Sequence, residues 1–195
     1  MSLLVAALLA GAGALSAGAL GLRALRRRRA APGAGDSPRT SAAEPAGALA
    51  GAGFAVEAGE VISLAGREYW LEHAWLCRER EEPVAAILFA AEATVVALPA
   101  PRSTLYRLAR VEVEAPPEPP STLDSRGVRF ERASRRPVRL TATPAAPDPP
   151  FEEAVLAEYR ALGGASLWML ARAGAALAWQ GERVADGELE RWGQG

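Results

Sequence analysis

Residues 2–22 carry no charged side chain, and Arg23, Arg26, Arg27, Arg28 and Arg29 close the run. A stretch of 21 residues reaches roughly 32 Å as a helix, enough to cross a hydrocarbon core. In lipid, a single segment satisfies its backbone groups only as a helix. Arginines beside the apolar end are held on the cytoplasmic side. The sequence therefore predicts a transmembrane anchor over residues 1–25 with a basic flank to residue 29. The N-terminus is expected outside and the bulk of the chain inside. One rival is a secretory signal peptide, but its positive charges should precede the apolar run, where only Met1 and Ser2 stand. Another is that the run is a by-product of alanine-rich composition.

Gly13, Ala17 and Gly21 repeat every four residues, as do Ala10, Ala14 and Gly18. Small residues at this spacing let two helices approach closely, so a homodimer through Gly13, Ala17 and Gly21 is one expectation. Chance spacing in an alanine-rich segment is the plainer one.

The charge is unevenly spread. Residues 1–50 hold six Arg against Asp36 and Glu44, and residues 51–195 hold sixteen Arg against twenty-one acids. The globular part is mildly acidic, which argues against nucleic acid as a partner. All 22 basic residues are arginine. The absence of lysine excludes Schiff-base chemistry on a lysine and, with the absence of Asn, points to a GC-rich bacterial genome. A single cysteine, Cys77, forms no internal disulfide and suits a reducing cytoplasm.

Residues 30–53 are dominated by Ala, Gly and Pro without an apolar period. Such a segment buries too little surface to offset its chain entropy, and is expected to be a flexible linker. The remainder, 54–195, reads as one domain of ordinary size. From Arg67 to Arg78 the side chains alternate, with Tyr69, Leu71, His73, Trp75 and Cys77 on one face of a predicted strand. Residues 84–89 and 94–98 read as a hairpin, and 105–113 alternates again. Val128 with Phe130, and Val138 with Leu140, read as separate short strands. Residues 115–121 contain two Pro-Pro pairs and mark a hinge between halves 54–114 and 121–195. Residues 151–162 fit either a helix or a strand, and 187–192 a closing strand or a short helix. Many short strands separated by turns predict a mainly β domain, an antiparallel sandwich or barrel-like fold, and leave room for two similar halves.

Three sets of residues carry a family resemblance. The first is Gly59-Glu60-Val61-Ile62 with Gly66-Arg67-Glu68-Tyr69-Trp70-Leu71. The second is Gly127-Val128-Arg129-Phe130. The third is Glu158-Tyr159-Arg160, Leu167-Trp168-Met169 and Trp179-Gln180-Gly181-Glu182-Arg183-Val184. Their order resembles the bacterial DUF 4178 family of uncharacterised domains. The family's Trp and Tyr pair in the middle strands has no counterpart here, where Val84 begins the run VAAILFAAEATVVAL. The resemblance implies an all-β fold and no catalytic residues to carry over. It also implies a partner complex at the membrane, since members are associated with small membrane proteins and polyamine-synthase-like enzymes.

His73 is the single histidine and the natural general base or metal ligand. A histidine packed among apolar neighbours is the plainer account, and His73 with Cys77 makes too few ligands for zinc. Gly164-Ala165-Ser166-Leu167-Trp168 lacks the second glycine of a nucleophile elbow. The pairs Glu81-Glu82 and Glu152-Glu153 read as solvated turn charges. Arg126, Arg129, Arg132, Arg135, Arg136 and Arg139 form the densest basic stretch, either a patch for an anion or acidic partner or a charged edge hairpin that discourages aggregation. All five Trp lie in the domain, and of Trp70 and Trp75 one is expected exposed unless both faces of their strand are covered.

The sequence thus predicts a single-pass bacterial inner-membrane protein with a cytoplasmic all-β interaction or scaffold domain and protein partners at the membrane. It predicts no catalytic, cofactor-binding or metal-binding residue and leans away from an enzyme. One alternative is a small-ligand-binding or enzymatic β domain with a pocket near Tyr69, His73 and Trp75. Another is a secreted β domain released by signal cleavage.

Overall fold

The computed structural model describes residues 47–114, 118–143 and 146–192. The predicted anchor, its arginine flank, the Gly13, Ala17 and Gly21 face and the linker up to residue 46 lie outside these residues. No helix among the described residues is long and apolar enough to cross a membrane. The elements are α1 (Ala48–Gly51), β1 (Val61–Leu64), β2 (Arg67–Trp70), β3 (His73–Glu79), β4 (Glu82–Ala90), β5 (Ala93–Ala97), β6 (Leu105–Val111), β7 (Thr122–Ser125), β8 (Val128–Ala142), β9 (Glu153–Arg160), β10 (Ala165–Arg172), β11 (Ala175–Arg183) and β12 (Leu189–Trp192). The predicted mainly β class is what the described residues form.

Eight of these strands close into an antiparallel barrel, in the order β3-β4-β5-β6-β11-β10-β9-β8, with β8 pairing back onto β3. The first half of the domain supplies β3 to β6 and the second β8 to β11. First pairs with first (β3–β8) and last with last (β6–β11), all antiparallel, so the connectivity is twofold symmetric. Tight turns join the β7–β8 and β10–β11 hairpins. Arg126-Gly127 and Ala173-Gly174 hold positive φ at both positions (50° and 76°; 43° and 84°), the combination that matches the twist of a two-residue hairpin.

The barrel interior is filled by Trp75, Cys77, Ile87, Leu108, Leu140, Leu156, Leu170 and Trp179, among others. An eight-stranded barrel leaves just enough room for such side chains. Its outer wall is also apolar, and two layers cover it. Over β3 to β5, α1 and the sheet β12-β1-β2 bury Leu49, Ile62, Leu64 and Tyr69 against Leu76, Leu88 and Val95. Over β9 to β11, the β7–β8 hairpin buries Phe130 against Tyr159, Leu167 and Met169. Ser125 and Tyr159 pin this second cover: the Ser125 hydroxyl lies 2.9 Å from Gln180 Oε1, and Tyr159 donates to the Pro120 carbonyl at 3.0 Å.

Several expectations are revised. Residues 47–53, read as the end of the linker, are folded: Leu49 is buried, and the Glu57 carboxylate accepts from Ala50 N–H at 2.8 Å. The predicted strand from Arg67 to Arg78 is two strands in different sheets, because the chain turns off the flanking sheet between Trp70 and His73. Face alternation slips there, so Tyr69 and Leu71 pack outside the barrel while Trp75 and Cys77 point in. The two strands read around Phe130 and Leu140 are one 15-residue strand. Pro137 sits inside it without losing a ladder bond. The Thr143 N–H points to β3, donating to Ala74 O, so residue 137 shares that direction, and β3 pairing starts only at Arg139. Residues 153–160 form a strand rather than a helix, and residues 189–192 also form a strand.

Candidate functional site

A bulge decides where the predicted arginine patch goes. Register across β8 and β9 runs Arg132↔Tyr159 and then Ser134↔Glu158, leaving Ala133 unpaired. Arg132 therefore shares the outer face with Tyr159, while Ser134 and Arg136 share the inner face with Glu158. The six arginines are split accordingly. Arg132 donates to the Pro119 carbonyl, Arg135 pairs with Glu118 at 3.0 Å, and Arg139 pairs with Glu153 at 3.6 Å. Arg136 pairs with Glu79 at 3.0 Å on the barrel rim. Arg126 and Arg129 stand at the exposed hairpin tip.

The end of the barrel where β5, β9 and β11 finish is open. A concavity of about 220 Å³ is bordered by Pro83, Val84, Leu98, Arg102, Ser134, Arg136, Leu156, Glu158 and Trp168. An adjoining concavity shares Leu98, Arg102, Ser134, Arg136 and Glu158 and adds Tyr106, Arg160 and Arg183. Glu158 is 3% exposed. A carboxylate this deep needs charge and hydrogen bonds to remain there. Arg160 supplies both, with Nε at 3.0 Å and a terminal nitrogen at 2.9 Å. Tyr106 donates its hydroxyl to the same oxygen at 3.2 Å, and Ser134 Oγ stands 3.5 Å from the other.

Burial, reinforced by the Glu158 charge, raises the Tyr106 phenol above its ordinary value of 10.0. The hydrogen bond and charge of Glu158 likewise raise the Arg160 guanidinium. Above the carboxylate, Trp168 stacks edge-on against Tyr106 with ring centroids 5.2 Å apart. Its Nε1–H is buried and meets no acceptor among the described residues.

The opposite end is plugged. His73 stacks on Phe89 at 5.0 Å, and Phe89 meets Trp75 at 4.6 Å. The Trp75 indole donates to the Pro147 carbonyl at 3.0 Å. Tyr69 belongs to the outer cover, so the structure does not bring Tyr69 together with His73 and Trp75. Nearby in the interior, burial pushes the Cys77 thiol up to about 12. It is inert as a nucleophile at neutral pH.

A second exposed feature lies on the flanking sheet. Val61 pairs with Trp192 on one side and Trp70 on the other, so the three side chains share one outward face. Each tryptophan is 59% exposed. One pleat along, Ser63 pairs with Glu190 and Glu68 on the same face. Neither acid meets a cation among the described residues, whereas the rim charges are paired as Arg191–Glu60 and Arg67–Glu92.

The sequence did not single out Arg102, it used Glu158 and Arg160 only as marks of resemblance, and it named Trp168 and Trp192 among the five domain tryptophans without placing either at a site. One signal for Glu158 was available: an acid at the same strand parity as Ala154 and Leu156, the inward face.

The fold and its two exposed features define a closed antiparallel β-barrel with two outer covers, one polar mouth and one aromatic flank. Comparison with known proteins finds no matching family model, no matching curated protein and no matching solved structure.

Proposed function

We propose that the chain is a membrane-anchored interaction module whose barrel domain, on the cytoplasmic side, docks protein partners through the Trp192–Val61–Trp70 face. The observation that carries this reading is the pair of exposed tryptophans on the two strands that flank β1, about 10 Å apart at two strand spacings. Tryptophan supplies large rigid contact area and leads the residues that dominate binding energy. Free Glu68 and Glu190 beside the pair select the partner's chemistry: an apolar segment bearing Arg or Lys. Cytoplasmic flanks of membrane-spanning helices have that composition, which suits a module tethered by residues 1–25. The tether raises the local concentration of the domain for such partners. The resemblance to the DUF 4178 family agrees with a role beside small membrane proteins.

The test is a titration of the full chain in nanodiscs with a synthetic peptide alternating Leu and Arg. Saturable binding that weakens as salt rises is expected. Trp70→Ala with Trp192→Ala should lower affinity more than about thirtyfold, the scale of a hot-spot loss. Glu68→Gln with Glu190→Gln should remove most of the salt dependence. Equal binding of a Leu-Glu peptide, or no effect of the tryptophan pair, would defeat the proposal.

A further inference from the structure

The flanking sheet β12-β1-β2 is open on both sides: among the described residues no strand lies beyond β2 or beyond β12. Hydrogen-bond alternation fixes which main-chain groups face outward. The Leu71 N–H donates to the Glu60 carbonyl at 2.9 Å, and the Leu71 carbonyl accepts from the Gly59 N–H at 2.6 Å. Leu71 therefore bonds toward β1. Tyr69 and Arg67 share its parity and bond the same way, in the pairs Ile62↔Tyr69 and Leu64↔Arg67. Glu68 and Trp70, between them, turn N–H and C=O away from β1. Their side chains stand exposed on the outward face of the sheet. On β12 the parity differs. The Ala65 N–H donates to the Glu188 carbonyl at 3.2 Å, so the outward main-chain groups there belong to Leu189 and Arg191. Those side chains share the barrel-facing side with Leu64 and Ile62. Of the two edges, β2 alone offers free main chain and free side chain at the same residues. It also holds no proline and no register shift, two of the devices that close an exposed edge.

We propose that the partner segment binds β2 as an added antiparallel strand. This rests on the docking reading above and names the partner's conformation: extended, with a side-chain period of two. Two partner residues lie opposite Glu68 and Trp70, and each exchanges a pair of hydrogen bonds with its opposite number. Their side chains emerge on the tryptophan face, where a cation meets the Glu68 carboxylate and the Trp70 ring. The partner residue between them lies opposite Tyr69 and faces the barrel. An aliphatic side chain suits that position, since Tyr69 is 6% exposed and the Arg67 guanidinium lies 5.7 Å from its ring centre. A segment alternating cationic and aliphatic residues is thus matched at three successive positions. The edge is four residues long, so main-chain pairing adds to the indole contacts and does not replace them. An amphipathic helix, the competing mode, would lie across the indoles and leave the outward groups of Glu68 and Trp70 to water.

The experiment titrates the full chain in nanodiscs with a peptide alternating Leu and Arg in three forms: unmodified, N-methylated at every Arg, and N-methylated at every Leu. The two methylated forms have the same composition and charge. Methylating the Arg nitrogens removes the two donors aimed at β2 and should weaken binding about thirtyfold, two hydrogen bonds lost. The Leu nitrogens point away from β2, and methylating them should change affinity less than about threefold. In 15N-labelled protein, the unmodified peptide should slow amide exchange at Glu68 and Trp70 and leave Tyr69, already bonded to β1, as it was. Methylated forms that bind alike, a greater loss from the Leu set, or unchanged exchange at Glu68 and Trp70 would overturn strand addition. If the unmodified peptide still needs Trp70 and Trp192 in that case, the docking reading stands without it. No binding of the unmodified peptide would overturn both.

Discussion

Gly181 on β11 tests the barrel most sharply. A Cβ built there would lie 2.1 Å from the Arg107 carbonyl oxygen and 2.9 Å from Leu108 Cα. Both are backbone atoms of β6, so no side-chain rotation relieves the clash. The strands would have to part by about 1 Å to restore van der Waals contact. Gly181 pairs with Leu108 within the ladder that joins the last strand of each half. Parting it there disrupts about two hydrogen bonds, each worth about 1 kcal/mol net, and adds about 1–3 kcal/mol of overpacking. Gly181→Ala should therefore cost about 3–5 kcal/mol. At about 2–4 °C per kcal/mol for a chain of this size, that lowers the melting temperature by about 6–20 °C. The assay is a near-ultraviolet circular dichroism melt of the full chain in detergent. Gly51→Ala is the internal control. Nothing lies within 4 Å of its Cβ position, the residue is in α1, and alanine there should stabilise by a few tenths to about 1 kcal/mol. If Gly181→Ala melts with the wild type, the close approach of β6 and β11 is wrong.

Glu158→Gln leaves Tyr106 an acceptor but takes the counter-charge from Arg160, and should cost about 1–3 kcal/mol in urea denaturation. The lower end is expected, because the Arg160 side chain is 64% exposed and can hydrate. Alkaline stability should follow Cys77 and Tyr106. Folding holds the thiol protonated well past its ordinary 9.0, up to about 12, and raises the Tyr106 phenol too. Their contribution is complete below pH 9 and is lost as pH climbs toward 12. Urea midpoints from pH 8 to 11 should fall, and less steeply in Cys77→Ala. Trp70→Ala with Trp192→Ala should leave urea stability within about 0.5 kcal/mol, since both side chains lie mostly in solvent. A large loss there would make the pair structural.

Strands with one clear turn on each side were legible in the sequence. β4, β5 and β6 stand where alternation and turn residues put them. Where both barrel faces are covered, the signal blurs. β9 buries Leu156 inward and Ala157 and Tyr159 outward, so its apolar positions also fit a helical period. β8 was read as two strands because its middle is arginine and proline, although Ser134 and Arg136 line a polar mouth and Pro137 costs no bond. The slip between Trp70 and His73 leaves no mark in composition, and it separated Tyr69 from Trp75. The mouth was illegible for a topological reason. Glu158 and Trp168 are cross-strand partners in the β9–β10 hairpin, but Arg102 joins them only because β6 pairs with β11 and β8 returns to β3. No local pattern encodes those closures.

Hydrogen–deuterium exchange of the full chain in nanodiscs, with and without the Leu-Arg peptide, asks most directly whether the aromatic flank is the docking surface. Slowed exchange confined to residues 61–70 and 189–192, and absent in the variant lacking both exposed indoles, is the predicted result. Protection spread over the β7–β8 hairpin instead, or no change anywhere at saturating peptide, would contradict it.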